Sequence, residues 1–313
     1  MNTLERDIKI DSPYVELEGI EDECEDAVLM FASSEVETSD RLSKLRDELR
    51  TDHLSNEERD SLVKNCEEFN DIFHLPGDTL TFTTATEHTI PTQTIDPMRG
   101  INTKSYRIPE IHREEVQKQT EQMLRDGIIV PSSSHWNSPI LVNPKKTDAS
   151  GKKKWRIVVD FRKLNVTIAD CFPIPVISEV LDAFGKSKYF STIDCASGFL
   201  QVPVKLEDEA KTAFSTRGHF QYTRMPFVLK GAPATFQRLM TTILSGIQGI
   251  KCLVYLDDVV VFGDNLKVHN ERLREVFSRM RRYNMKLLDI CELLRKEVSY
   301  LGHVIAETGV KPD

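Results

Sequence analysis

Apolar positions along this chain recur with two periods, and the switches between them mark out the elements. A helical period of about 3.6 first appears after Leu54-Ser55-Asn56-Glu57-Glu58, where Leu62, Cys66 and Phe69 share one face. Ser55 is the expected N-cap, with Glu58 three residues on completing a capping box, and Leu75-Pro76-Gly77-Asp78 ends the segment. A second helix is expected from Pro109 through Val116, Thr120, Met123 and Leu124 to a stop at Gly127. A third begins at Pro233 and carries Phe236, Leu239, Met240, Ile243, Leu244 and Ile247. A fourth, capped by Asp264 or Asn265, carries Leu266, Leu273, Val276, Phe277 and Met280. Residues 173–186 predict a short further helix. Runs of β-forming residues fall at 128–130, 139–142, 155–161, 189–194 and 298–305, and residues 211–222 read as a hairpin turning at Arg217-Gly218.

One β stretch breaks its own pattern. Cys252-Leu253-Val254-Tyr255-Leu256-Asp257-Asp258-Val259-Val260-Val261-Phe262 is apolar except for two adjacent aspartates at its centre. It predicts a tight hairpin whose turn carries both carboxylates, where a plain hairpin would use Asn-Gly or Asp-Gly. Adjacent aspartates repel, so a cation is expected to offset them, and for oxygen ligands that cation is Mg²⁺.

The chain has 313 residues, enough for two domains or one large domain with an appendage, and its hydrophobic content of 40% supports a real core. The net charge of −8 is misleading as a whole-chain figure. Residues 1–50 hold 15 acids and 6 bases, while the remaining 263 residues hold 34 acids and 35 bases. The acidic, serine-containing segment 1–50 is therefore expected to be a disordered leader. Residues 51–108 are expected to form a helix and then a threonine-rich extended strap, broken by Pro91, Pro97 and Gly100. Residues 109–313 form the main body. The 6 cysteines include no Cys-x-x-Cys pair and read as reduced thiols. No apolar run is long enough to span a bilayer, so no membrane partner is expected.

Two further features carry candidate chemistry. Between residues 143 and 165 stand eight bases (Lys145, Lys146, Lys152, Lys153, Lys154, Arg156, Arg162, Lys163) against Asp148 and Asp160. The run is either a solvated face or a phosphate-facing finger. Asp194 ends an otherwise apolar strand, where an aspartate also serves as an ordinary turn cap. If the strand ending at Asp194 neighbours the 252–262 hairpin in one antiparallel sheet backed by the Pro233 helix, three carboxylates meet at one edge. Two divalent ions about 3.5–4 Å apart could then clamp an in-line phosphoryl displacement.

These residues resemble a known family. Tyr255-Leu256-Asp257-Asp258 in an apolar hairpin, Phe190-Ser191-Thr192-Ile193-Asp194 followed by Ala196-Ser197-Gly198-Phe199, and Met225-Pro226-Phe227 leading into Lys230-Gly231-Ala232-Pro233-Ala234-Thr235-Phe236-Gln237 are similar to the reverse transcriptase of gypsy-type long-terminal-repeat retrotransposons. Lys154-Trp155-Arg156 with Val159-Asp160-Phe161-Arg162-Lys163-Leu164-Asn165 matches the fingers motif of that family, and Tyr300-Leu301-Gly302-His303 its primer-grip region. The likeness covers residues from about 100 to 312.

The resemblance implies an α+β right-hand polymerase fold of fingers and palm, with an antiparallel palm sheet and no thumb. The implied activity is RNA-directed DNA polymerisation. Asp194, Asp257 and Asp258 would hold two Mg²⁺ ions, with Mn²⁺ as an alternative. Lys154 and Arg156 would neutralise an incoming deoxynucleoside triphosphate, bordered by Phe227 and Lys230. Phe199, elsewhere an ordinary core aromatic, would be the steric gate against a 2′-hydroxyl. Asp160, Arg162, Gly231, Tyr255, Leu301 and Gly302 would contact an RNA or DNA template with its primer, and His303 would help steady the primer end. Further implied partners are thumb and RNase H segments of a longer polyprotein, or a second subunit. The implied setting is an intracellular, cytoplasmic retroelement particle, with the nucleus as a second location.

The departures from the family pattern matter too. Val228 stands where the family has Gly, at a turn where positive φ is expected and a β-branched residue fits poorly. Leu200 replaces a common His, and the pattern around Leu287-Leu288-Asp289-Ile290-Cys291 is degraded. With Pro312-Asp313 falling where a thumb would start, a fragment or a decayed copy of a polyprotein is expected. The competing readings are an inactive nucleic-acid-binding relative and a palm-type cyclase or RNA-templated RNA polymerase, the last opposed by Phe199.

Overall fold

In the computed structural model, the described residues are 40–92, 100–144, 155–166, 184, 187–288 and 291–312. The chain divides into two compact units, Met1–Ser43 and Lys44–Asp313, and the fold described below is that of the second. Among the described residues no helix is long and apolar enough to cross a membrane.

Helix α1 (Asn56–Glu68) starts as its sequence dictates: the Ser55 side chain accepts the Glu58 amide, and the Glu58 carboxylate accepts the Ser55 amide. Leu62, Cys66 and Phe69 are buried on its inner side. Leu45 and Leu49, which the acidic leader to residue 50 was expected to contain, are buried in the same core. Strand β1 (Phe73–His74) follows, and then an extended strap whose Thr83 and His88 amides bond to the carbonyls of Gln201 and Pro203. Helix α2 (Glu110–Arg125) opens after Pro109 and stops at Gly127, whose φ of 63° favours a residue without a side chain.

Strands β2 (Ile129–Pro131), β3 (Ile140–Pro144) and β4 (Trp155–Val159) come next, β3 and β4 pairing antiparallel. The basic loop joining them, Lys145–Lys154, and the helix expected at 173–186, save Phe184, lie outside the described residues. Strand β5 (Tyr189–Asp194) runs to the aspartate, and β6 (Phe214–Ser215) with β7 (His219–Tyr222) makes the expected hairpin. Then follow α3 (Ala232–Ile243), β8 (Cys252–Tyr255), β9 (Asp258–Gly263) and α4 (Leu266–Arg282). Of the two candidate caps for α4, Asn265 takes the role, its side chain accepting the Val268 amide at 3.0 Å. The chain ends with β10 (Leu287–Leu288), β11 (Glu292–Arg295), β12 (Glu297–Tyr300), β13 (His303–Ala306) and β14 (Gly309–Pro312).

The central sheet has the order β11-β5-β9-β8, antiparallel throughout. Alternation along β5 and β9 gives it two apolar faces. Ile193, Val259 and Val261 face the larger core, which holds Phe236 and Met240 of α3 and Leu273 and Phe277 of α4. Phe190, Val260 and Phe262 face a smaller cluster with Phe184, Val298, Tyr300 and Ile305. The single strand expected at 298–305 is in fact a hairpin, β12–β13. It turns at Leu301-Gly302 with φ of 51° and 75°, and that left-handed pair interrupts the apolar run. Cys66, Cys195, Cys252 and Cys291 are buried thiols.

Candidate active site

β5 and β9 pair in a register that sets Asp194 directly opposite Asp258. Phe190, Thr192 and Asp194 therefore share one face with Phe262, Val260 and Asp258, the face that also carries the β12–β13 hairpin. The turn between β8 and β9 consists of Leu256 and Asp257, since Tyr255 and Asp258 already pair. Only Asp257 lies in the turn, whereas the sequence pattern placed both acids there. Asp258 belongs to β9 because it pairs with Asp194 on one side and Tyr255 on the other. Leu256 adopts the left-handed region at φ 57°, and its amide donates to Oε1 of Gln237 at 2.6 Å.

The three carboxylates sense one another. Burial, followed by the charges of Asp257 and Glu292, pushes the Asp194 carboxyl above its ordinary range. Burial, followed by Asp257 and Asp194, pushes Asp258 up to about 6. Both shifts mark an electrostatic cost that a divalent cation would relieve. The donors suit a hard ion, being oxygens only. Among the described residues, no three His, Cys, Asp or Glu side chains close around a point as a metal cage would.

Asp194 and Asp258 open onto a concavity of about 400 Å³, also lined by Thr192, Glu292, Tyr300 and Leu301. Leu301 and Tyr255 pack against the same small apolar cluster, so two residues expected at the primer do converge beside the acids. Gly302 and His303 belong to the same hairpin, His303 Nδ1 lying 3.0 Å from the Leu301 carbonyl. Arg50 reaches this concavity from upstream.

The remaining expected site residues that are described fall outside this concavity. Arg156, exposed on β4, lies 5.4 Å from the ring centre of Phe227. Next to Phe227, the side chain of Asn165 clamps the turn: its Nδ2 donates to the Val228 carbonyl at 2.9 Å, and its Oδ1 accepts the Lys230 amide at 2.9 Å. Val228 is not among the residues with positive φ, so the expected conflict between a β-branched side chain and the backbone does not arise. Gly231 immediately precedes α3. Lys154 lies outside the described residues. Phe199 is half-buried with its ring 5.2 Å from Phe236, and a Cβ on Gly198 would come within 2.9 Å of that Phe236 ring. Asp160 and Arg162 pair with each other at 2.6 Å in a separate cleft of about 240 Å³ with Tyr106 and Lys163. The Arg162 guanidinium is the main cause holding Asp160 down at about 2.

Four residues of the site were given no role from the sequence. Glu292 faces the acids because it pairs with Thr192 across β11 and β5, a register no local pattern reveals. Arg50 arrives from more than a hundred residues away. Gln201 is fully buried and closes the loop after Asp194, donating to the Ala196 and Lys286 carbonyls and accepting the Lys286 amide. Gln237 had a signal, a polar residue on the buried side of an apolar helix next to Phe236.

The chain is similar to known proteins in sequence and in fold. Residues 143–305 match the family model for reverse transcriptase (RNA-dependent DNA polymerase). The chain is 44% identical over 286 residues to a retrovirus-related Pol polyprotein from transposon 297 of Drosophila melanogaster, covering 90% of this chain and 26% of that protein. It is 35% identical to the Pol polyprotein from transposon gypsy of the same fly, covering 84% of this chain and 25% of that one. The chain thus spans about a quarter of the length of these curated relatives. Among solved structures, the foamy viral protease-reverse transcriptase in complex with RNA/DNA hybrid superposes with a TM-score of 0.75 at 26% identity, over 88% of this chain and 36% of that one.

Proposed function

Since the chain belongs to the reverse transcriptase family, we propose that its carboxylate edge catalyses RNA-directed DNA synthesis as part of a retrotransposon polyprotein, adding deoxynucleotides to a primer 3′-hydroxyl with release of pyrophosphate. The observation that carries this reading is the register of β5 and β9, which sets Asp194 opposite Asp258 with Asp257 on the adjoining turn.

Asp194, Asp257 and Asp258 would hold two divalent ions, Mg²⁺ first and Mn²⁺ as a substitute. When bound, such ions supply charge stabilisation for the attacking and leaving oxygens. The chain's own groups then have separable tasks. Arg156, steadied over Phe227, offers a fixed positive charge to the triphosphate, with Lys154 beside it in sequence. Phe199, backed by Phe236, presents bulk against a ribose 2′-hydroxyl. Leu301 lines the same concavity as Asp258, and the Leu301-Gly302 turn would seat the primer end. The solved relative bound to an RNA/DNA hybrid supports a template–primer duplex as the partner.

Primer extension by the full chain with Mg²⁺, a primed RNA template and deoxynucleotides tests the reading. Extension that is lost on chelation, and that falls at least about 100-fold in Asp194→Asn, is expected. Wild-type protein that binds the duplex without extending it would replace this reading with an inactive nucleic-acid-binding relative. Equal use of ribonucleotides would remove the gate assigned to Phe199.

A further inference from the structure

The turn that carries Asp257 is held from an unexpected direction. Two-residue hairpin loops favour Gly, Asn or Asp because they require positive φ, yet this one has Leu256 at φ 57°. A residue with a large side chain does not stay in that region unaided. The aid comes from α3, where the Gln237 side chain is 1% exposed and accepts the Leu256 amide at 2.6 Å. The other end of the Gln237 amide, Nε2, is buried with no hydrogen-bond partner among the described residues. A buried donor left unpaired is costly, and a Met or Leu would fill the same apolar surroundings without that cost. The useful part of Gln237 is therefore its oxygen, and that oxygen has one described task.

We propose that Gln237 is a positioning residue for Asp257: by accepting the Leu256 amide, it keeps Leu256 in the left-handed conformation from which the turn sets the Asp257 carboxylate beside Asp194 and Asp258. The assignment rests on the reading of those acids as the catalytic edge. Gln237 touches neither substrate nor ion in this scheme and acts only through the backbone of the turn. Its loss should loosen the turn and leave the sheet register intact, since β5, β8 and β9 are fixed by their own pairing and by both apolar faces.

The test compares the wild-type full chain with Gln237→Met, which keeps length but removes the acceptor, and Gln237→Glu, which keeps an acceptor. The double variant Gln237→Met with Leu256→Gly adds a glycine that adopts positive φ without help. Amide exchange across residues 253–259, read by mass spectrometry without divalent ions, is expected to accelerate about tenfold in Gln237→Met, the effect of losing one strong hydrogen bond. The Mg²⁺ concentration giving half-maximal primer extension is expected to rise severalfold, with the KM for deoxynucleotide little changed. Gln237→Glu and the double variant should both return the Mg²⁺ midpoint toward wild type. Unchanged exchange, an unchanged midpoint, or failure of Leu256→Gly to restore it would overturn the proposal. If Gln237→Met does not fold, Gln237→Asn, whose acceptor is withdrawn by one methylene, carries the same comparison. A wild-type chain that extends no primer would overturn the polymerase reading, and the ion-free exchange result would still decide what Gln237 does to the turn.

Discussion

His269 makes the stability of this fold depend on pH in a way that can be worked through in advance. It lies in the first turns of α4, fully buried, with Nε2 3.0 Å from Ser191 Oγ; the same oxygen accepts the Leu294 amide at 2.9 Å. Burial, with a smaller contribution from the charges of Arg272 and Lys296, pulls the imidazole from 6.5 down to about 4, against the opposing effect of Asn270. Folded protein therefore binds fewer protons than unfolded protein between those two values, and stability rises with pH across that window. The His269 contribution is complete above the unfolded value of 6.5 and is lost as pH falls toward 4. The full span corresponds to about 3 kcal/mol, of which about 2 kcal/mol disappears between pH 7.5 and pH 5.

His269→Gln keeps a neutral hydrogen-bonding group facing Ser191 but cannot titrate. Urea unfolding of both proteins at pH 7.5 and 5.0 isolates the term, because every other titrating group cancels in the difference. The wild type should lose about 2 kcal/mol more than the variant. Equal losses in the two proteins would refute the argument that the ring is buried and neutral.

Three other outcomes follow from named contacts. Asp258, raised from 3.8 to about 6, binds protons more tightly when folded, so its effect runs the other way: without metal, stability falls as pH rises from about 4 to 6. Asp258→Asn should thus be more stable than wild type at pH 8 in chelator, by about 1 kcal/mol once the half-exposed carboxylate is discounted for screening, while primer extension disappears; no gain in stability would mean the acids do not strain the edge. Gly263→Ala places a Cβ 2.8 Å from backbone atoms of His269 and should cost about 1–3 kcal/mol in chemical unfolding, an unchanged midpoint counting against the tight β9–α4 contact. Ser55→Ala removes the α1 cap and should cost about 1 kcal/mol. Because Glu58 also accepts the Tyr189 hydroxyl, its detachment should be visible as a change in tyrosine fluorescence.

The parts of this fold legible in the sequence are those set by neighbours in the chain. The α1 capping box, the Gly127 stop, the start of α3 within a residue of Pro233 and the strand ending at Asp194 all follow from local rules, and the structure shows each of them. Errors arose where distant segments decide. The run 298–305 is apolar enough for one strand, but Leu301 and Gly302 turn back so that Tyr300 and Ile305 can join the cluster on the outer face of the sheet. Leu45 and Leu49 lie in an acidic stretch, and only the core they enter distinguishes them from a solvated leader. Val228 fits because Asn165, 63 residues earlier, holds a turn that does not require positive φ.

By itself, then, the sequence singled out three carboxylates and the β segments that carry them, because an acid inside an apolar β run stands out against period-2 alternation. Tertiary structure alone decided that Asp194 faces Asp258 across a shared register, that Glu292 joins them, and that a glutamine from α3 supports the turn bearing Asp257. The physical reason is that alternation assigns a side chain to a face but not to a partner. Partners depend on register and packing between segments far apart in the chain, where long-range burial, and not local preference, selects the arrangement.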